Sequence, residues 1–149
     1  MSKSARILLV EDNRMDVELT LDAFREAKLL NTVTVVTDGQ EALDYLMGHG
    51  KYADRDTYRM PNLVLLDLKL PGVDGFEVLR QVKSTPILKR LPVIILTSSK
   101  EEGDLALSYD SGANSYLVKP ISFEGFLGVV RQIAGYWLSL NVGPPEGDQ

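Results

Sequence analysis

Glu11, Asp12, Asp67, Thr97 and Lys119 each stand at the end of a short apolar run. Carboxylates, a hydroxyl and an ammonium are the groups needed to hold a hard cation beside an anion. Residues 6–10 lead into Glu11-Asp12, and 63–66 lead into Asp67 before Pro71-Gly72 turns the chain. Residues 92–96 lead into Thr97, and 115–118 into Lys119. Apolar runs without alternation predict strands buried on both faces, as in a parallel sheet. In such a sheet every C-terminal strand end lies on one edge, where open α/β folds bind ligands. Three like charges crowded there repel, so the cluster requires a counter-charge. Magnesium suits an all-oxygen set, Lys119 is a second counter-charge, and Thr97 and Lys119 are placed to donate to a bound anion.

The segments between those runs predict the helices that position them. Asn13 is a good N-cap with Asp16 in the first turn, and Val17, Leu21, Phe24 and Ala27 recur at helical spacing to about Lys28. Residues 32–36 are β-branched and predict a second strand. Asp38-x-x-Glu41 and Asp74-x-x-Glu77 resemble capping boxes opening the second and third helices. Ser99-x-x-Glu102 predicts the start of a fourth helix that stops near Gly112. Ser122 caps a last helix carrying Phe123, Phe126, Val130, Ile133, Ala134 and Trp137. Residues 48–60 are polar and bounded by Gly48 and Pro61, which predicts an exposed loop. Strands and helices alternate five times, predicting a parallel sheet with right-handed crossovers and helices on both faces.

Composition narrows the function classes. A chain of 149 residues, 44% apolar and 25% charged, is expected to form one domain over 1–149, with a core at 5–138 and a tail at 139–149. There is no cysteine, which excludes disulfides, zinc–thiolate sites and thiol catalysis and suits a cytoplasmic location. No apolar run reaches the ~20 residues that span a bilayer, so no membrane association is expected. A net charge of −5 argues against nucleic acid as a partner.

Four motifs in order, Val10-Glu11-Asp12-Asn13, Leu66 to Gly75 around Asp67, Leu96-Thr97-Ser98-Ser99 and Lys119-Pro120, resemble those of the receiver domain of two-component response regulators. The resemblance covers about residues 5–138. It implies a flavodoxin-like, doubly wound five-stranded sheet of order 2-1-3-4-5. It implies that Asp67 accepts a phosphoryl group from a phosphohistidine on a sensor histidine kinase. Asp12 and Asp67 would ligate Mg2+ with the Lys69 backbone carbonyl, and Glu11 would act through water. Thr97 and Lys119 would contact the phosphoryl oxygens, Tyr116 would switch rotamer, and the Lys119–Pro120 bond would be cis. Output would pass through the surface of helix four, strand five and helix five, by protein–protein contact. The 48–60 loop and the aromatic C-terminal helix resemble single-domain regulators paired with bacterial phytochrome kinases. Tyr136, Trp137, Leu138 and Leu140 add apolar surface that suggests a homodimer through the same face.

Plainer roles exist for each residue. Asp12 and Asn13 serve equally as helix caps, Thr97 as an ordinary β-branched strand residue, Lys119 as a resting partner of Asp67, and Tyr116 as edge packing. His49, flanked by glycines, reads as solvated. A magnesium-dependent aspartyl-phosphate phosphatase is the main alternative, but it needs an acid two residues beyond its nucleophile, where this chain has Lys69. A flavin protein of like topology is disfavoured because Glu11-Asp12 would repel its phosphate.

Overall fold

The apolar runs form the central sheet of a computed structural model that describes residues 6–29, 33–98, 100–119 and 122–135. Its strands are β1 (Ile7–Val10), β2 (Val33–Val36), β3 (Leu63–Leu66), β4 (Val93–Thr97) and β5 (Ser115–Val118). All neighbouring pairs are parallel, in the order β2-β1-β3-β4-β5. The helices are α1 (Arg14–Glu26), α2 (Gly39–Met47), α3 (Gly75–Ser84), α4 (Glu102–Asp110) and α5 (Phe123–Gly135). The predicted fold class, a doubly wound α/β sheet with helices on both faces, is the one observed.

Alternation along each strand explains why the runs lack polar residues. Leu8, Val10, Val64, Leu66, Val93 and Ile95 face a core built with α2 and α3. Ile7, Leu9, Leu63, Leu65, Ile94 and Leu96 face a second core built with Phe24 of α1 and Phe126, Val130 and Ile133 of α5. Each face is sealed by a helix layer, so both side-chain registers must be apolar. Fully burying one such side chain contributes about 2 kcal/mol.

The helix starts follow the predicted caps. Asn13, Asp38 and Asp74 each accept from the backbone N–H three residues on, and Ser122 Oγ accepts from Gly125 N. Two glycines permit close approaches beside the strand ends. A Cβ at Gly75 would overlap the Asp67 carbonyl, and one at Gly39 would overlap the Val73 carbonyl. The start of α3 is thereby seated against the backbone of Asp67.

Two expectations change, the start of α4 and the 48–60 loop. Helix α4 begins at Glu102 after Glu101, which makes no side-chain capping bond. Ser99, the predicted cap, lies outside the described residues. Leu105 and Leu107 sit two apart rather than at helical spacing, so no buried stripe fixes where α4 starts, and Ser108 is its one buried residue. The last helix carries Phe123 as read from the sequence, and of its first apolar residues Phe123 is exposed while Phe126 and Leu127 are buried. The 48–60 segment is not simply an exposed loop. It contains a single 3-10 turn, Gly50–Tyr52, and buries Tyr52. The Tyr52 ring packs 4.9 Å from Tyr45 and 5.0 Å from Tyr58. Its hydroxyl donates to Glu41 Oε2 at 2.6 Å, and Arg55 donates to the Tyr45 and Tyr52 carbonyls. The expected Lys119–Pro120 cis bond, the side chain of Ala134, the cluster at Tyr136, Trp137, Leu138 and Leu140, and the 139–149 tail lie outside the described residues.

Candidate functional site

Backbone pairing carries on past the strands and delivers the site residues. Glu11 N donates to Val36 O at 3.0 Å, and Asp67 N donates to Val10 O at 3.1 Å. Lys119 N donates to Thr97 O at 2.7 Å. Residues on four different strand ends are thereby held at fixed heights along one edge of the sheet. Thr97 is fully buried as the last residue of β4, and Tyr116 of β5 lies beside Ile95, packed on the core beneath α2 and α3.

The carboxylates of Glu11, Asp12 and Asp67 converge, with one oxygen of each within 4.8 Å of the others. Asp12 is exposed, whereas Glu11 and Asp67 are buried. Asp67 Oδ1 accepts from Lys69 N at 3.3 Å, and Glu11 Oε2 accepts from Asn13 N at 3.1 Å. The Lys69 side chain is exposed and pairs with Asp104 of α4 at 3.6 Å. An all-oxygen set this compact, open at Asp12, matches the needs of a hard divalent cation that keeps part of its water shell.

Lys119 is the counter-charge. Its Nζ donates to Glu11 Oε1 at 2.5 Å, to Asp16 Oδ2 at 2.9 Å and to Asp67 Oδ2 at 3.3 Å. Burial works to lower the lysine's pKa, but the hydrogen bonds it donates to Asp16 and Glu11 and the charges of Glu11 and Asp67 outweigh it, so the ammonium stays charged well above the usual range. The opposite imbalance falls on Glu11. Its burial, together with the charge of Asp67, overcomes the pull of Lys119 and pushes its pKa up to about 7. One ammonium does not fully neutralise this crowd of carboxylates, which is why the site has room for a further positive charge.

Asp16 is the site residue that sequence reasoning missed. Its place in the first turn of a helix read as a favourable dipole charge and nothing more. The available signal was its place in the first turn after Asn13, the N-cap that directly follows Glu11-Asp12, which keeps its carboxylate close to that strand end. His49 is exposed, as expected of a solvated side chain.

Comparison with known proteins agrees with this arrangement. The profile of the response regulator receiver domain matches residues 7–131. The chain is 43% identical over 138 residues to the probable methanogenesis regulatory protein FilR2 of Methanothrix harundinacea, covering 93% of this chain and 86% of that one. It is 38% identical over 132 residues to response regulator Rcp1 of Synechocystis, covering 89% and 88%. The Mn2+-bound structure of Rcp1 matches with a TM-score of 0.82 at 36% identity, over 95% of this chain and 99% of that one. The phosphorylated cyanobacterial phytochrome response regulator RcpA matches with a TM-score of 0.88 at 40% identity, over 96% and 100%.

Proposed function

Because the chain belongs to the response regulator receiver domain family, we propose that Asp67 is its phosphoacceptor, taking a phosphoryl group from a phosphohistidine of a sensor histidine kinase. A carboxylate oxygen of Asp67 attacks phosphorus, the P–N bond to the imidazole breaks with its electron pair going to nitrogen, and a P–O bond to Asp67 forms. The observation that carries this reading is the meeting of Asp67, Glu11 and Asp12 with Lys119 on one sheet edge. Phosphoryl transfer asks the protein for position and charge more than covalent work, and this edge supplies both.

Each residue has a role in that step. Asp12 and Asp67 would hold Mg2+ directly, the Lys69 backbone carbonyl would add a ligand, and Glu11 would act through water. Bound there, the cation offsets the charge that gathers on the phosphoryl oxygens. The oxygen-only donor set supports the metal assignment, as does the Mn2+-bound form of Rcp1. Thr97 and Lys119 donate to the phosphoryl oxygens. Tyr116, on the edge strand next to Thr97, is the side chain that repacks when the hydroxyl turns inward.

We read the chain as a single receiver domain over 1–149, located in the cytoplasm. No helix among the described residues is long and apolar enough to cross a membrane. Its kinase partner is a phytochrome kinase, a reading supported by the likeness to RcpA, itself a phytochrome response regulator. Output is protein–protein contact, without nucleic acid. Leu105, Leu107 and Tyr109 of α4, Val118 of β5 and Phe123 of α5 are each exposed, and this apolar surface on the three elements supports a homodimer through the α4–β5–α5 face. The phosphatase alternative lacks its acid. Lys69 stands two residues beyond Asp67, and its side chain is paired with Asp104. Modification is expected from small phosphodonors alone. Incubation with phosphoramidate and Mg2+, followed by intact-mass measurement, should show one added phosphoryl group on wild type. None should appear on Asp67→Asn or in excess chelator, and modification of Asp67→Asn to the wild-type level would contradict the assignment.

A further inference from the structure

Lys119 is shared by Glu11, Asp16 and Asp67, and these acceptors differ in what happens if the lysine leaves. An ammonium has three N–H donors, and the three carboxylates occupy them. A phosphoryl group on Asp67 brings new, more highly charged acceptor oxygens. The donor that now serves Asp67 at 3.3 Å passes to one of them, because that carboxylate loses its own charge on becoming an acyl phosphate, and a second donor can come only from Glu11 or Asp16. The Glu11 side chain is 2% exposed, so abandoning it leaves a buried carboxylate unpaired, which is costly. The Asp16 side chain is 34% exposed, so water can take over its hydrogen bonds. Asp16 also stands apart from the group of converging oxygens formed by Glu11, Asp12 and Asp67, so its charge acts on the site through the ammonium.

Resting on the phosphoacceptor reading of Asp67, we propose that Asp16 is a positioning residue: it holds Lys119 in the unphosphorylated protein and is the partner that gives the lysine up when Asp67 is phosphorylated. Two consequences follow. The Asp16 contact sets part of the cost of engaging the phosphoryl group. Its loss also reports the phosphorylated state to the first turn of α1, because that bond ties α1 to the residue after β5.

The test is a titration with beryllofluoride, a phosphoryl mimic, in the presence of Mg2+, followed by backbone amide NMR. Wild type should bind the mimic with shifts at Asp16 and its α1 neighbours. Asp16→Asn should bind it roughly three- to fivefold more tightly, the scale of a partly exposed ion pair, and the α1 shifts should shrink. Asp16→Ser should tighten binding in the same way, and Asp16→Glu should restore wild-type affinity. A purely structural role for Asp16 would weaken binding or leave it unchanged, and either result in both Asp16→Asn and Asp16→Ser overturns the proposal. Wild type failing to bind the mimic, or Asp67→Asn binding it equally well, overturns the phosphoacceptor reading and this inference together.

Discussion

Lys119 illustrates how one side chain decides the energetics of a site. Its side chain is 14% exposed, and its ammonium faces Glu11 at 2.5 Å and Asp67 at 3.3 Å, both nearly buried. Replacing it with methionine keeps most of the packing but leaves these carboxylates to repel one another. Lys119→Met should therefore lower the stability of the metal-free protein by about 3 kcal/mol, as measured by urea unfolding. A loss below about 1 kcal/mol would mean that the carboxylates relax into water and that the lysine is not their main counter-charge. The convergence of Asp12, Asp67 and Lys119 was readable from the sequence because each closes an apolar run, and parallel strands bring such ends together. Asp16 was not readable in the same way. It lies inside a helix start, where a carboxylate already has a sufficient local reason to be.

At the scale of elements, the strands and caps were readable because their physics is local: unbroken apolar runs and an acceptor three residues before a helical N–H. The 48–60 segment was misread because its polar majority concealed Tyr52, whose burial depends on Tyr45 in α2 and on Tyr58. This insertion is fastened by the hydrogen bond from Tyr52 to Glu41, which also accepts from Thr37 N at 3.1 Å. Partial burial tends to raise the Glu41 pKa, but the Tyr52 and Thr37 hydrogen bonds prevail and hold it below its ordinary 4.5. Burial, followed by the Glu41 contact, pushes the Tyr52 hydroxyl well above its ordinary 10.0. A carboxylate with a lowered folded pKa contributes stability that is present above about 4.5 and lost as pH falls through the folded value. The phenol, with a raised folded pKa, contributes stability that is present below about 10 and lost as pH climbs towards its folded value. Tyr52→Phe should cost about 1 kcal/mol at neutral pH, a charge-assisted bond reduced by partial exposure, and should flatten the acid side of the stability profile. Thermal melts from pH 3 to 7 check this prediction (the range is about that of the carboxylate titration), and unchanged melts across it would show that the bond adds nothing.

For the whole molecule, the two faces of the sheet are closed unequally. Helices α2 and α3 and helices α1 and α5 bury continuous cores, while α4 buries Ser108 and leaves Leu105, Leu107 and Tyr109 outside. A helix held this lightly beside the site is suited to move, and its exposed side chains are suited to a second copy. Sedimentation equilibrium with beryllofluoride and Mg2+ should show dimer for wild type and monomer for Leu107→Lys, each with an unchanged melting profile. Monomer in both proteins at high concentration would remove this face as the contact. The sequence indicated the face only through resemblance, because an exposed leucine carries no local mark that separates it from a buried one. Beneath all of this lies one chemical claim, that a phosphoryl group is carried by the carboxylate at the end of β3. An acyl phosphate, unlike a phosphoester, is reduced by borohydride, which converts the modified aspartate to homoserine. Phosphodonor treatment with Mg2+, borohydride trapping and peptide mapping should therefore place homoserine at position 67 and at no other aspartate. Homoserine at Asp12 or Asp16, or none anywhere in protein whose intact mass shows the added group, would contradict the account.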